Sequence, residues 1–411
     1  MTTLRKRLRQ HVPARVALPW LVLFLLSPCW LIYAHGMVQI LSSALASTIF
    51  PGSVPIKALR NDLIVFWPVS HLMLTHNAAK IYDPVWFSHW RAIHLERGVL
   101  SYLQYPYPPP ALFLPLLIEP FNYAVGFLVW TVILIVPGVI LLHRAKVPWV
   151  VIAFGLVSAP GFYSVRIGQF GILTGAMFIA GLLSIDRGSK KSGILFGALV
   201  IKPQAGLLGP VVLLARREYQ AIAIGVITIA IFSICITLLC GFSIWSSYIN
   251  HGLKQAHHIL IAPFPTTYEN SGISVFWMFR SFGTSVGIAG FAQTVCAASA
   301  IIWCWAAWHR PETDKVAQIA LTASLTLLVT PYGYTDDMCG FSIMVAWLAW
   351  ERRRLEIADV LMWMWPALCP IISVSLHMEL TPLILILGAI RAWKRLAGIG
   401  TTTPACYPLA T

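Results

Sequence analysis

From 219 to 242 the chain reads YQAIAIGVITIAIFSICITLLCGF, without one charged residue. Wound as a helix at about 1.5 Å per residue, such a stretch covers the ~30 Å hydrocarbon core of a bilayer. The pattern recurs: apolar segments fall near 17–40, 122–142, 148–164, 170–185, 192–214, 219–242, 285–308, 315–331, 338–350, 357–375 and 380–395. With 58% hydrophobic and 11% charged residues and a mean hydropathy of +0.75, the chain reads as an all-α polytopic membrane protein. The run 109–119 is too short to span alone and reads as re-entrant or as a half-helix.

Charge sets the expected orientation. A net charge of +14 would suit nucleic acid, but the lysines and arginines stand in short clusters between apolar runs, which is topology signalling; no nucleic-acid partner is expected. Let the N-terminus be cytoplasmic and 192–214 a hairpin turning at Lys202-Pro203-Gln204. The clusters at Arg5, Lys6, Arg7, Arg9 and Arg15, at Arg144 and Lys146, at Arg187, Lys190 and Lys191, at Arg216 and Arg217, at Arg310 and Lys315, at Arg352 to Arg354, and at Arg391, Lys394 and Arg395 then share one side. They hold 20 of the 29 basic residues. The pattern predicts about twelve crossings with both termini cytoplasmic, in one domain over 1–395 with a short tail at 396–411. The basic N-terminus and the long run after it read as an uncleaved anchor; the rival is a signal peptide cut near Ala44-Leu45-Ala46.

Two segments on the opposite side, 51–107 and 243–282, are too long for simple turns and rich in aromatics, so they are expected to carry interfacial helices and function. The stretch NDLIVFWPVSHLMLTHNAAKIYD, starting at Asn61, reads as one such helix, kinked at Pro68. Eight scattered cysteines lack CxxC or CxxH spacing and read as small core hydrophobes. HExxH, G-x-S-x-G, Walker and GxGxxG patterns are missing, and nothing calls for a metal or cofactor.

Four constellations carry the polar chemistry. Asn61-Asp62 offers a helix cap, a surface carboxylate able to act as a general base, or both. The run YPYPPP, with Tyr105 and Tyr107, is a rigid corner or a stiff stacking rim for a sugar or isoprenoid. In SVRIGQFG, Gln169 sits between Gly168 and Gly171 with an amide that donates and accepts. Further on, Lys202 stands amid apolar residues beside Gln204, either functional or snorkelling. Lys202, Arg166 and Arg280 are the cations closest to apolar segments on that side, and a phosphate would need such partners. Asp336 and Asp337, in TPYGYTDDM, hold a sugar hydroxyl, orient a histidine or cap the next helix; as a metal site they are too few.

NDLIVFWPVSHLMLTHNAAKIYDP, YPYPPPALFLPLL, GQFGILTGAMFIAGLLSIDRGSKKSGILFGALVIKPQAGLL and TPYGYTDD occur in this order over most of residues 55–340. Together they resemble glycosyltransferase family 87, polytopic enzymes of the C-type glycosyltransferase fold that include polyprenol-phosphate-mannose-dependent mannosyltransferases. The resemblance implies an inverting transfer of a hexose, mannose foremost, from a polyprenyl-phosphate donor to a lipid or glycan acceptor. The reaction would run at the outer face of the plasma membrane, among membrane lipids. It implies Asp62 as the base, places the family's tyrosine–acid pair on Tyr82-Asp83, and places its lysine–proline step on Lys202-Pro203. Where the family often has a histidine after its late Pro-Tyr segment, this chain has Asp336-Asp337. A transporter or flippase of lipid-linked saccharides is the alternative, but it predicts a polar path through the bilayer; here the unusual polar residues gather on one side. An inactive structural member of a polysaccharide-assembly complex stays open.

Overall fold

The computed structural model describes residues 14–54, 59, 61–75, 77–95, 103–185, 189–265, 269–310 and 314–398. Arg5, Lys6, Arg7, Arg9, Arg187 and most of the 396–411 tail lie outside these, as does the side chain of Arg15. Among the described residues the chain is all-helical, with one isolated bridge between Gly272 and Tyr334.

Helices of seven residues or more are numbered in chain order. They are α1 (Ala14–Ile49), α2 (Leu63–Met73), α3 (Pro84–His94), α4 (Tyr123–Arg144), α5 (Trp149–Leu156), α6 (Ala159–Ile167), α7 (Gly171–Ser184), α8 (Ser189–Ala198) and α9 (Gly209–Ala215). There follow α10 (Tyr219–Cys240), α11 (Leu253–Ile261), α12 (Val275–Ser281), α13 (Val286–His309), α14 (Lys315–Val329), α15 (Cys339–Arg352), α16 (Ile357–Leu376) and α17 (Thr381–Leu396). Five of them, α1, α4, α10, α13 and α16, are long and apolar enough to cross a membrane; α5 and α6, bent by 56° at their junction, make a sixth span if taken as one. Their outward faces carry large bare side chains such as Phe24, Leu238, Phe291 and Ile302, which suit lipid contact.

The expected count of about twelve crossings is therefore not established. α7, α14 and α15 have 14, 15 and 14 residues, so each is about 21–23 Å long, short of the ~30 Å core. α8 and α9 are shorter still. The segment 192–214 does turn back at Lys202: α8 lies along the first half of α10, Gly193 and Gly197 against Ala221 and Gly225, and α9 returns through Arg216–Glu218 into the start of α10. These short helices share one design. One end meets a basic cluster; the other stops at a turn bearing Gln169, Lys202 or Asp336. At the basic end of α14 to α17, Arg352, Arg391 and Arg395 pair with Asp314, Glu351, Glu356 and Asp359.

Two further segments take a more definite form. The run 109–119 holds a 3₁₀ turn, Pro109–Leu112, that runs directly into one α-helical turn, Phe113–Leu116, a helical piece far too short to span; its opening prolines sit in the first turn, where no intrahelical donor is needed. α2 is packed into the protein rather than lying free on it: nine of its 11 residues are buried, and Pro68 sits within it. Phe66 of α2 centres an aromatic cluster with Tyr105, Tyr107, Trp130 and Phe170, ring centroids 5.0–6.1 Å away. Several aromatics of the two long segments, Phe66, Phe87, Phe276 and Trp277, are core residues of the protein.

Candidate active site

The two long segments converge on one cavity of about 630 Å³, a size suited to a small ligand. The first segment contributes Asn61, Asp62, Phe66 and the 103–108 rim; the second contributes Tyr248, Ser271 and the apolar face of α11, Leu253, Ala256 and Ile259. The remaining wall is made by the turns at the inner ends of the short helices, through Arg166, Gln169, Lys202, Gln204 and Asp336.

Asn61 and Asp62 divide the labour that sequence left undivided. The Asn61 Oδ1 accepts the Leu63 N–H (2.9 Å) and the Tyr123 hydroxyl (3.2 Å), so Asn61 caps α2. Asp62 makes no capping bond, and its carboxylate is left on the cavity wall. There Oδ2 accepts a hydrogen bond from Gln169 Nε2, while Gln169 Oε1 accepts one from the Tyr107 hydroxyl. That chain fixes the amide: its NH₂ must face the carboxylate. The Asp62 N–H donates to the Ile167 carbonyl (2.8 Å), which seats the carboxylate beside the end of α6. Asp62 stands in none of the spanning helices. Burial pushes its carboxyl up to about 6, against the opposing pull of the Gln169 hydrogen bond; Asp336 raises it further and Lys202 lowers it.

The turn carrying Gln169 depends on glycine. Gly168 ends α6 at φ +76, a left-handed conformation natural to glycine. A Cβ on Gly171 would stand 2.0 Å from the Asp336 carbonyl oxygen. Only glycine lets the 330–338 turn close onto the Gln169 turn.

Lys202 lies where the backbone breaks between α8 and α9. Its Nζ is 2.8 Å from Asp336 Oδ2 and 2.6 Å from Asp337 Oδ1, with all three side chains almost wholly buried. Asp337 also accepts the Tyr334 N–H (3.1 Å), closing its own turn. The lysine's charge is thus neutralised by two carboxylates and ties two turns together; it is not snorkelling. Asp336 faces the cavity, and Asp337 lies behind it.

Of the other cations, Arg280 donates to the carbonyls of Thr284 (2.8 Å) and Ala262 (3.1 Å) and does not line the cavity. Arg166 does line it, is exposed, and among the described residues makes no hydrogen bond or ion pair. Tyr82, Asp83 and Tyr105 stand outside the cavity wall. Asp83 caps α3 through the N–H groups of Val85 and Trp86, the Tyr82 hydroxyl donates to the Tyr107 carbonyl (2.8 Å), and Tyr105 is buried against Phe66 and Tyr82. They hold the rim; Tyr107 alone of the four turns to the cavity. Pro106 between the tyrosines is exposed, so the extended YPY geometry sends both rings inward. Sequence reasoning missed Tyr163, which lines the cavity one helical turn before Arg166; the i, i+3 spacing was its signal. It also missed the α11 face, legible as apolar positions 253, 256 and 259 beside polar Lys254, His257 and His258.

Helices able to span a membrane, with a largely apolar cavity that carries Asp62 and, without a partner among the described residues, Arg166 on its wall, suit a membrane enzyme. A model of glycosyltransferase family 87 matches residues 105–331, more than half of the chain, and the chain belongs to that family. It is a membrane glycosyltransferase. The matched range holds Tyr107, Arg166, Gln169 and Lys202; Asp62 and the aspartate pair lie on either side of it. Comparison with curated proteins and with solved structures found no match.

Proposed function

We propose that the protein is an inverting glycosyltransferase that moves a hexose, mannose foremost, from a polyprenyl phosphate to a hydroxyl of a lipid or glycan acceptor at the outer face of the plasma membrane. The observation that carries this reading is the presence, on one cavity wall, of a carboxylate freed from capping and an arginine without a partner among the described residues. Asp62 takes the acceptor's proton as the acceptor oxygen attacks the anomeric carbon. The bond to the leaving phosphate breaks ahead of full attack, giving oxocarbenium character. Arg166 receives the phosphate charge as it grows, in a bidentate contact that its free fork allows. A phosphate leaves as a stable anion, so no general acid is needed.

Gln169 keeps Asp62 oriented and its charge localised, with Tyr107 holding the amide. Lys202 acts at one remove: by binding Asp336 and Asp337 it fixes the turn against which Gly171 and the Gln169 turn close. Asp336 and Gln204 remain on the wall as partners for sugar hydroxyls, and the 103–108 rim and α11 give the sugar and the first isoprene units a largely apolar mouth. The test is Asp62→Asn in purified protein given a short polyprenyl-phosphate mannose and membrane-lipid acceptors. Donor binding should persist and transfer should fall by about 10²–10⁴-fold. Near-normal transfer by a correctly folded variant overturns the assignment.

A further inference from the structure

We propose that Gly36, in the middle of α1, is the seat that aims the Arg166 guanidinium at the donor phosphate; this rests on the reading of Arg166 given above. A glycine inside a helix lowers its stability, and in membrane helices it usually lets two backbones approach. At Gly36 the neighbour is different. A Cβ built there would meet Arg166 Cδ and Nε at 3.0 Å and Cζ at 3.1 Å, and these three side-chain atoms are the nearest of all. The arginine therefore lies flat across the bare Cα of Gly36. Gly36 is buried while Arg166 stays open to the cavity.

The surroundings leave that contact as the main constraint on the guanidinium. α1 is clamped along α5 and α6 by the Trp30 Nε1 hydrogen bond to the Val157 carbonyl (2.7 Å) and by the edge-on contact of Tyr33 with Tyr163 (5.8 Å between centroids). Arg166 rises from the last turn of α6 beside this seam and, among the described residues, finds no acceptor of its own. A planar fork binds phosphate well only when its plane is set beforehand. The Gly36 surface sets it. Position 36 thereby becomes a positioning residue on a helix that lies outside the family-matched range.

The test is a binding cycle in detergent-purified protein with farnesyl phosphate, which carries the phosphate and isoprene units but no sugar. Arg166→Gln should weaken binding about tenfold to a hundredfold. Gly36→Ala should weaken it a few-fold while leaving the melting temperature at or above that of the wild type, since alanine favours the helix. Gly36→Leu should approach the loss seen for Arg166→Gln, and the double variant should be no weaker than Arg166→Gln alone. Wild-type affinity in both Gly36 variants, or a Gly36→Leu penalty that persists undiminished without the arginine, overturns the seat while leaving Arg166 as the phosphate ligand. Wild-type affinity in Arg166→Gln removes the phosphate assignment and the seat together.

Discussion

Replacing Lys202 by Met tests the interior of this protein more sharply than any other single change. Methionine fills the aliphatic path of the lysine but removes an ammonium held 2.8 and 2.6 Å from two carboxylates. The three side chains are only 2%, 6% and 4% exposed, so water replaces the lost partner poorly and only from the cavity side of Asp336. The wild-type cluster already carries one negative charge in excess; the variant carries two on adjacent residues. Breaking a buried pair from one side costs about 3–5 kcal/mol, and two stranded carboxylates place this variant toward the upper end. Unfolding of the purified protein in mixed micelles, followed by tryptophan emission, measures the loss. Adding Asp337→Asn supplies the internal control, since asparagine keeps an acceptor for the Tyr334 N–H and removes one stranded charge. In the wild type that second change is neutral or harmful; on the Lys202→Met background it should restore stability, a coupling above about 1 kcal/mol. A Lys202→Met protein within about 1 kcal/mol of the wild type, the range of exposed pairs, would refute the buried cluster.

Transfer by the wild type should rise with pH through about 6 and then level, because Asp62 acts deprotonated and its carboxyl is raised to about 6; Asp62→Asn should abolish that limb of the profile. Gln169→Leu removes the donor to Asp62 and strands the Tyr107 hydroxyl, so transfer should fall by at least about tenfold while farnesyl phosphate binding, read in the same preparation, stays unchanged. Cysteine labelling in a cysteine-free background should reach position 90 from outside the cell and position 353 only from inside; the reverse pattern at both would end the proposed orientation.

The class of fold was written in the chain because a bilayer imposes a local rule. A backbone in hydrocarbon must satisfy its own hydrogen bonds, so length, hydropathy and flanking charge mark each helix without reference to its neighbours. The ends of α4, α10, α13, α14, α16 and α17 therefore lie close to the apolar segments read from sequence. The same rule is blind to depth. The short helices α7, α8, α14 and α15 have 14, 10, 15 and 14 residues, fewer than a full crossing needs, but nothing local shows which turns their ends pack against. Gly171, where α7 begins, lies against the Asp336 carbonyl just before α15, and those residues are far apart in the chain. At the site, the sequence marked Asp62, Gln169, Arg166, Lys202 and the aspartate pair by their chemistry alone, since polar groups within apolar sequence are costly. Which of them face the cavity was decided by tertiary contacts. Asn61 takes the cap and frees Asp62, Asp336 and Asp337 neutralise Lys202, and backbone carbonyls occupy Arg280. Arg166 is left exposed across Gly36, because whether a charge is free depends on the partners that folding brings to it.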